Sequence, residues 1–557
     1  MLRKDKWINS LKTIYGDEQI AREIADRMEG RFAKLQTPAK EEWLSEKDVM
    51  LITYGDSLYK KSEKGIVTLK NFLEKYVGDA ISAVHILPMF PYTSDDGFSV
   101  VDYKKINKDL GDWDDVIALS RKYQLMYDAV VNHISKSSEW FQKYLACEEP
   151  YKNYFITCDP NADYSTVTRP RALPLLTAFE TKEGTKYVWT TFSDDQMDLN
   201  FACPDVLIDV MDVLLTYANR GARFIRLDAI GFLWKTLGAT CMHLPQTHEI
   251  VKLARTILED YAPGTLIITE TNVPHKDNIS YFGDGTDEAN LIYQFPLPPL
   301  TMYSLLTGDA GHLTDWAATL EVPSDRTTYF NFLSSHDGIG VRPVEGILSE
   351  SERDVLIKAT LQNGGVVSYK DNGDGTQSPY ELNINYQDAL ASPEESDEVR
   401  IGRFLAAETI LLSLKGLPGI YIHSLLGSRN DYYGKTTSGI PRRINREKLE
   451  VEALEQKLET DTNRKKIFEE LLRRLQIRKK HPAFSPSAKQ TVLKLDKRVF
   501  ALLRESDEED KILALINVSG EKVQLHFTEG SGYDLISEKQ TEQNIQLGEY
   551  ECKWIVL

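Results

Sequence analysis

Cysteine is scarce. Five residues in 557 (Cys147, Cys158, Cys203, Cys241 and Cys552) are scattered, odd in number and form no CxxC pair. A disulfide framework or a structural zinc site needs paired thiols at set spacings, so neither is expected. Long apolar runs are missing as well: no window approaches the ~18 uninterrupted apolar residues of a membrane span. The opening M-L-R-K-D-K-W has no leader-like apolar stretch of ~7–15 residues. Positive charge is in deficit, with 66 Lys plus Arg against 84 Asp plus Glu and a formal charge of -18. Such a surplus argues against nucleic acid or an anionic membrane as partner, unless a basic patch is hidden locally. Internal repeats and low-complexity segments are absent. The expectation is a reduced, cytoplasmic, soluble protein.

What remains is ample for a large core: 42% hydrophobic residues beside 27% charged ones. The length implies two to four domains at ~100–200 residues each, although an α/β barrel with insertions can exceed ~400. Short β-rich apolar runs at 49–54, 81–87, 125–130, 222–227, 266–269, 291–294, 329–333 and 419–423 alternate with helical stretches. Repeated βα units predict a parallel sheet. Polar residues gather where strands end (Asp228, Glu270, His336 with Asp337), which suits the C-terminal rim of a closed (β/α)₈ TIM barrel. An open doubly wound sheet would want a phosphate-binding glycine turn after the first strand, and Tyr54 is followed by none.

The spacing predicts a helical N-terminal extension over 1–47 and a catalytic barrel over 48–480. Inserted loop domains are expected at about 135–200 and 338–398, and a C-terminal antiparallel β domain over 481–557. Loops of that length inside a compact domain usually serve function. D-N-G-D-G-T at 371–376 resembles a calcium loop, but the ligand spacing fails at Gly373 and a turn is the better reading. His243 and His248 share a stretch that reads as helical, five residues apart and off any common face, which suits ordinary helix residues better than metal ligands. No metal and no organic cofactor is expected.

Four short constellations carry the chemistry. D-A-V-V-N-H at 128–133, taken alone, fits a structural Asn–His pair better than a site. In R-L-D-A at 226–229, Arg226 and Asp228 alternate to one side of a strand. They form either a structural ion pair or a carboxylate held ionised as a nucleophile. T-E-T-N at 269–272 puts Glu270 at the end of an apolar strand, where desolvation can raise a carboxyl toward a general acid. S-S-H-D-G at 334–338 is often only a capping turn. Three acids on three strand ends are harder to dismiss, because paired carboxylates across a sugar-sized cleft are the equipment of a retaining glycosidase.

In this order and spacing the four stretches resemble the signature regions of the α-amylase superfamily, glycoside hydrolase family 13. That resemblance implies a (β/α)₈ barrel with Asp228 as nucleophile, Glu270 as acid/base and Asp337 gripping ring hydroxyls. His133 and His336 would bind the same glucose, and Arg226 would orient Asp228. H-I-L-P-M-F-P-Y-T-S-D-D-G-F at 85–98 and R-R-I-N-R at 442–446 are similar to the sucrose phosphorylase branch. There Asp95 and Phe98 would hold the donor glucose, and Arg446 would pair with Asp95 over the 4-hydroxyl. R-P-R at 169–171 matches a phosphate-binding arginine, Arg171, and Tyr380 a phosphate-facing tyrosine.

Asn272 and Glu381 depart from the sucrose-type His and Gln. With T-R-P-R-A-L-P-L-L-T, W-T-T-F-S-D-D-Q-M-D-L-N and S-L-L-G-S-R-N-D-Y, they make the chain resemble the glucosylglycerate phosphorylases. The implied substrates are a small glucoside, inorganic phosphate and glycerate. Alternatives are a sucrose or sucrose 6-phosphate phosphorylase, an α-glucosidase-type hydrolase, or a barrel with no catalysis. A carboxylate-bearing aglycone calls for nearby cations. Arg169, Arg429, Arg442 and Arg443 lie in candidate rim loops, as ligands or as loop braces. Glu381 would repel such a substrate unless an arginine neutralises it.

Overall fold

In the computed structural model, residues 3–35, 37, 43–171, 173–372 and 375–557 are described. Eight strands close a barrel: β1 Met50–Thr53, β2 Ala83–Ile86, β3 Gln124–Ala129, β4 Ala222–Leu227, β5 Leu266–Thr269, β6 Leu291–Tyr293, β7 Thr328–Phe332 and β8 Leu417–Tyr421. Each pairs in parallel with its sequence neighbours, and β8 returns to β1. The expected strands and the closed TIM barrel are therefore both present. Burial on two faces explains why these segments read as continuous apolar runs rather than as alternations. Bounds shift by one or two residues at several strands, and the eighth gives way at its end to a short helix, Ile422–Leu425.

Register does chemical work in this barrel. Arg226 of β4 lies beside Asp128 of β3, and Leu227 lies beside Thr269 of β5. The residues that follow, Asp228 and Glu270, therefore leave the rim side by side.

Two helices precede the barrel: α1 Lys4–Tyr15 and α2 Glu18–Phe32. α1 buries Trp7, Ile8, Leu11 and Ile14 along one stripe. Asp17 caps α2 by accepting from the Ile20 amide. The stripe seats on the barrel helix that follows β4, α3 Pro245–Tyr261, where the Trp7 indole donates to Asp260 at 3.0 Å. His248 lies on α3, but His243 precedes it with φ 54°, so the two do not share a helix.

Between β3 and β4, Thr157–Cys158, Leu176–Thr181 and Gly184–Trp189 form a three-stranded antiparallel sheet. After β7, Ile339–Gly340, Val366–Asp371 and Gln377–Asn383 form another. Of the stretch 371–376, expected as a turn, Gly373 and Asp374 lie outside the described residues.

Beyond the barrel, Lys489–Leu493, Val499–Glu505, Lys511–Asn517 and Cys552–Val556 belong to a six-stranded sheet. It is fastened to α4 Asp397–Ser413, the helix before β8. The Trp554 indole donates to Ser413 Oγ at 2.8 Å. The buried Arg504 guanidinium donates to the Ser413 and Ser485 carbonyls at 2.8 and 2.7 Å. The buried Arg478 does the same to Leu412 and Phe484 at 3.2 and 2.9 Å. Among the described residues, no helix is long and apolar enough to cross a membrane, and the five cysteines are free thiols.

Candidate active site

The strand ends converge on one cavity, whose lining includes Asp228, Glu270 and Asp337 from the ends of β4, β5 and β7. Arg226 is at its floor, 1% exposed, and its Nη1 donates to Asp228 Oδ1 at 2.7 Å and to Asp128. The other guanidinium nitrogen stands off at 3.7 Å from Glu270 Oε2, which instead accepts from the Ala229 amide at 3.2 Å. Asp128 is clamped from its far side by His85 Nε2 at 2.6 Å.

Burial pushes Asp228 up to about 8, against the pull of Arg226 and with added repulsion from Glu270. Burial raises Glu270 too, again against Arg226. Neighbouring carboxyls in a buried site titrate as a pair rather than singly. Asp337 goes the other way. Burial alone would raise it, but the Arg442 and Arg446 guanidinium charges hold it well below the usual carboxylate range.

The loop after β2, expected to face the sugar, places its residues somewhat differently from the sequence expectation. Asp95 and Asp96 are both left-handed, φ 54° and 50°, on a turn closed by Gly97 at φ 113°. A Cβ at Gly97 would lie 2.9 Å from the Pro88 carbonyl. The turn sends the two carboxylates to different arginines. Arg446 Nη1 pairs with Asp96 Oδ2 at 2.6 Å, and Arg443 Nε donates to the same oxygen at 2.9 Å. Asp95 instead accepts from Arg171 Nη2 at 3.0 Å and from Gln196 Nε2 at 3.2 Å. The expected Asp95–Arg446 pair is thus an Asp96–Arg446 pair, and Arg171 spends one N–H on Asp95. Adjacent aspartates in a tight turn cannot be told apart by pattern.

Phe98 stacks on His336 with ring centroids 4.9 Å apart and planes 6° from parallel. The Arg446 Nε–H donates to the His336 carbonyl at 2.7 Å. Burial lowers His336 to about 3 and His133 to about 4, so both are neutral imidazoles. His133 Nε2 is 3.0 Å from the Phe98 carbonyl, which fixes its proton there.

Asn132 belongs to a buried brace. It donates to Asp198 at 3.1 Å and accepts from Lys235 at 2.9 Å, while Lys235 pairs with Asp198 at 2.6 Å. Nothing in the sequence signalled Lys235.

At the opposite end, Asn272, Tyr380 and Glu381 all reach the cavity. Glu381 is neutralised by Arg442, which forks onto its two oxygens at 2.9 and 3.0 Å and extends Nη1 to Asp337 at 2.9 Å. Glu381 also accepts from the Gly338 amide at 3.1 Å, an approach that a Cβ at Gly338 would block at 2.6 Å. Burial raises the Tyr380 phenol to about 12. Of the other rim arginines, Arg443 braces the loop after β2 and Arg429 braces Asp388, 47% of its side chain exposed. Arg169 is not among the lining residues.

Residues 63–353 match the alpha-amylase family, described as its catalytic domain. This chain belongs to the α-amylase family. Within that family it is 50% identical to a glucosylglycerate phosphorylase of Allomeiothermus silvanus, covering 87% of this chain and 88% of the relative. It is 44% identical to a glucosylglycerate phosphorylase of Escherichia coli over 99% of this chain and 100% of the relative. The crystal structure of sucrose 6F-phosphate phosphorylase from Thermoanaerobacter thermosaccharolyticum superposes with a TM-score of 0.76 at 25% identity, covering 91% of this chain and 99% of that one.

Proposed function

We propose that this protein is a cytoplasmic, retaining phosphorylase. It cleaves 2-O-α-D-glucosyl-D-glycerate with inorganic phosphate, reversibly, to α-D-glucose 1-phosphate and D-glycerate. The observation that carries the reading is whole-length likeness to glucosylglycerate phosphorylases, at 44–50% identity, in a chain whose three rim carboxylates share one cavity.

The geometry supplies a role for each group. Arg226 donates to Asp228 and not to Glu270, so the proton of this pair belongs on Glu270. Asp228 attacks the anomeric carbon as its bond to the glycerate oxygen breaks, and Glu270 protonates that oxygen. A β-glucosyl ester on Asp228 results. A phosphate oxygen then attacks from the side glycerate left, giving its proton to Glu270 and releasing Asp228. Two inversions give net retention. In this reading Asp337, kept ionised, and the neutral His133 and His336 hold ring hydroxyls. The Asp96–Arg446 pair closes the sugar end, so a single glucosyl unit fits. Nucleophile, proton and acceptor are all furnished by side chains and substrates, so the reaction requires no metal or organic cofactor.

Incubation of the purified protein with glucosylglycerate, with and without phosphate, tests this reading. α-Glucose 1-phosphate should appear only with phosphate. Free glucose in both arms would make the protein a hydrolase. Run backwards from α-glucose 1-phosphate, the enzyme should release phosphate fastest with D-glycerate among glycerate, fructose, fructose 6-phosphate and glycerol. A preference for any other acceptor sinks the substrate assignment.

A further inference from the structure

Most charged side chains that line the cavity are already matched. Arg171 holds Asp95, Arg226 holds Asp228 and Asp128, and Arg442 holds Asp337 and Glu381. Arg342 is different. It lines the same cavity, yet its buried Nε has no hydrogen-bond partner, and it forms no ion pair among the described residues. A guanidinium is always charged, and an unanswered one against a protein wall is costly unless a ligand completes it.

The chain path places Arg342 at the acceptor end. The loop after β7 delivers His336 and Asp337 first and then runs into the short strand Ile339–Gly340, which pairs with Glu381 and Leu382. The next amide, that of Val341, donates to the Tyr380 carbonyl at 3.2 Å, and Arg342 follows. Its charge is felt at Tyr380, at His243 and at Lys370. His243 is neutral, Lys370 is a second cation, and Glu381 is answered by Arg442. Glu345 pairs with Arg353 at 3.6 Å and Asp277 acts on His243, but neither forms an ion pair with Arg342 among the described residues.

Asn272 packs against this strand. A Cβ at Gly340 would lie 2.8 Å from Asn272 Oδ1, which is itself buried and without a donor. An unpaired cation and an unpaired acceptor thus face one cavity from neighbouring segments. Their complement is a small molecule bearing an oxyanion and a hydroxyl.

We infer that Arg342 binds the carboxylate of glycerate, with Asn272 Oδ1 accepting from a glycerate hydroxyl, and that Arg342 thereby sets the choice of an acidic aglycone. This rests on the activity proposed above. Planar, two-pronged donation suits a carboxylate better than an ammonium would.

The test compares R342Q and R342K with the unaltered enzyme in the synthetic direction, using D-glycerate and glycerol. Glycerol has the same carbon skeleton with CH2OH in place of the carboxylate. R342Q should lose about 10- to 100-fold in kcat/KM for glycerate, the range for one charge-assisted contact. R342K should recover part of it. Use of glycerol should hold or rise in R342Q, and KM for phosphate in the forward direction should stay unchanged.

If the unaltered enzyme takes glycerate and R342Q takes it equally well, this inference alone falls. A raised KM for phosphate with glycerate unaffected assigns Arg342 to phosphate and also overturns it. Equal losses with both acceptors in both variants would make Arg342 a structural residue. An unaltered enzyme that ignores glycerate overturns this inference together with the activity it rests on.

Discussion

The two ends of the cavity differ in how their charges are answered: Asp95 and Asp96 are paired with arginines, whereas Arg342 forms no ion pair among the described residues. At the sugar end the carboxylates are answered by other parts of the protein, Asp96 by Arg443 and Arg446 and Asp95 by Arg171 and Gln196, while Arg446 Nη2 and His336 Nδ1 stay open. At the acceptor end Arg342 Nε and Asn272 Oδ1 stay open. A site that must grip one invariant sugar gains from being assembled before the sugar arrives, because nothing then has to reorganise in the transition state. On the proposed activity, the acceptor end serves two guests in turn, glycerate and phosphate. On the inference above, the unspent Arg342 and Asn272 are completed by glycerate and leave phosphate to other groups.

Removing Asp228 tests the floor that both ends share. D228A should lose on the order of 10⁴–10⁶ in kcat, as deletion of a nucleophile does, with an unaltered melting temperature. Near-normal phosphorolysis would remove Asp228 from the mechanism.

E270Q comes next. Burial raises the Glu270 carboxyl, so its acid form survives above the ordinary carboxylate range and is lost as pH rises through the shifted value. kcat/KM for glucosylglycerate should therefore fall on the alkaline side, and E270Q should lose that limb along with about 10²–10⁴ in rate. A glucosyl donor with a very good leaving group should restore part of the first step. An alkaline limb that persists in E270Q would place the proton elsewhere.

The sugar-end pairing is open to a double-mutant cycle. D96A and R446A should couple by roughly 0.5–3 kcal/mol in kcat/KM, whereas D95A and R446A should be close to additive. The reverse pattern would restore the pairing expected from sequence.

The smallest effect is expected from R171A, which removes a cation and frees Asp95. At low phosphate the product should shift from glucose 1-phosphate toward free glucose, and an unchanged ratio would show that Arg171 only braces the loop.

The barrel was legible because its strands are buried on both faces and its acids fall at strand ends, two patterns that survive in one dimension. Asp228, Glu270 and Asp337 were found for that reason, and the structure brings them together. Asp96 was missed because the left-handed turn at Asp95 and Asp96 decides which carboxylate meets Arg446, and neighbouring identical residues carry no mark of that. His243 was read into a helix that begins two residues later. Arg342 gave no signal at all: it is one arginine among many until its neighbours are counted and found wanting. Arg442 was visible in R-R-I-N-R, but its fork onto Glu381 depends on a strand some 60 residues away in sequence.

The two arginines that meet only carbonyls, Arg478 and Arg504, have a consequence for how the molecule comes apart. Each guanidinium is solvated by backbone of α4 and of the segment leading into the C-terminal sheet. Arg478 would keep the Leu412, Glu46 and Asp48 carbonyls, but sliding the sheet off the barrel would take Arg504 away from the Ser413 carbonyl and leave its cation unsolvated until water flooded the seam, so no cheap half-open form exists. Heating should give one calorimetric transition rather than two. A chain cut at residue 480 should fail to yield a folded barrel, since the carbonyls of α4 would lose the cation that ties them to the sheet.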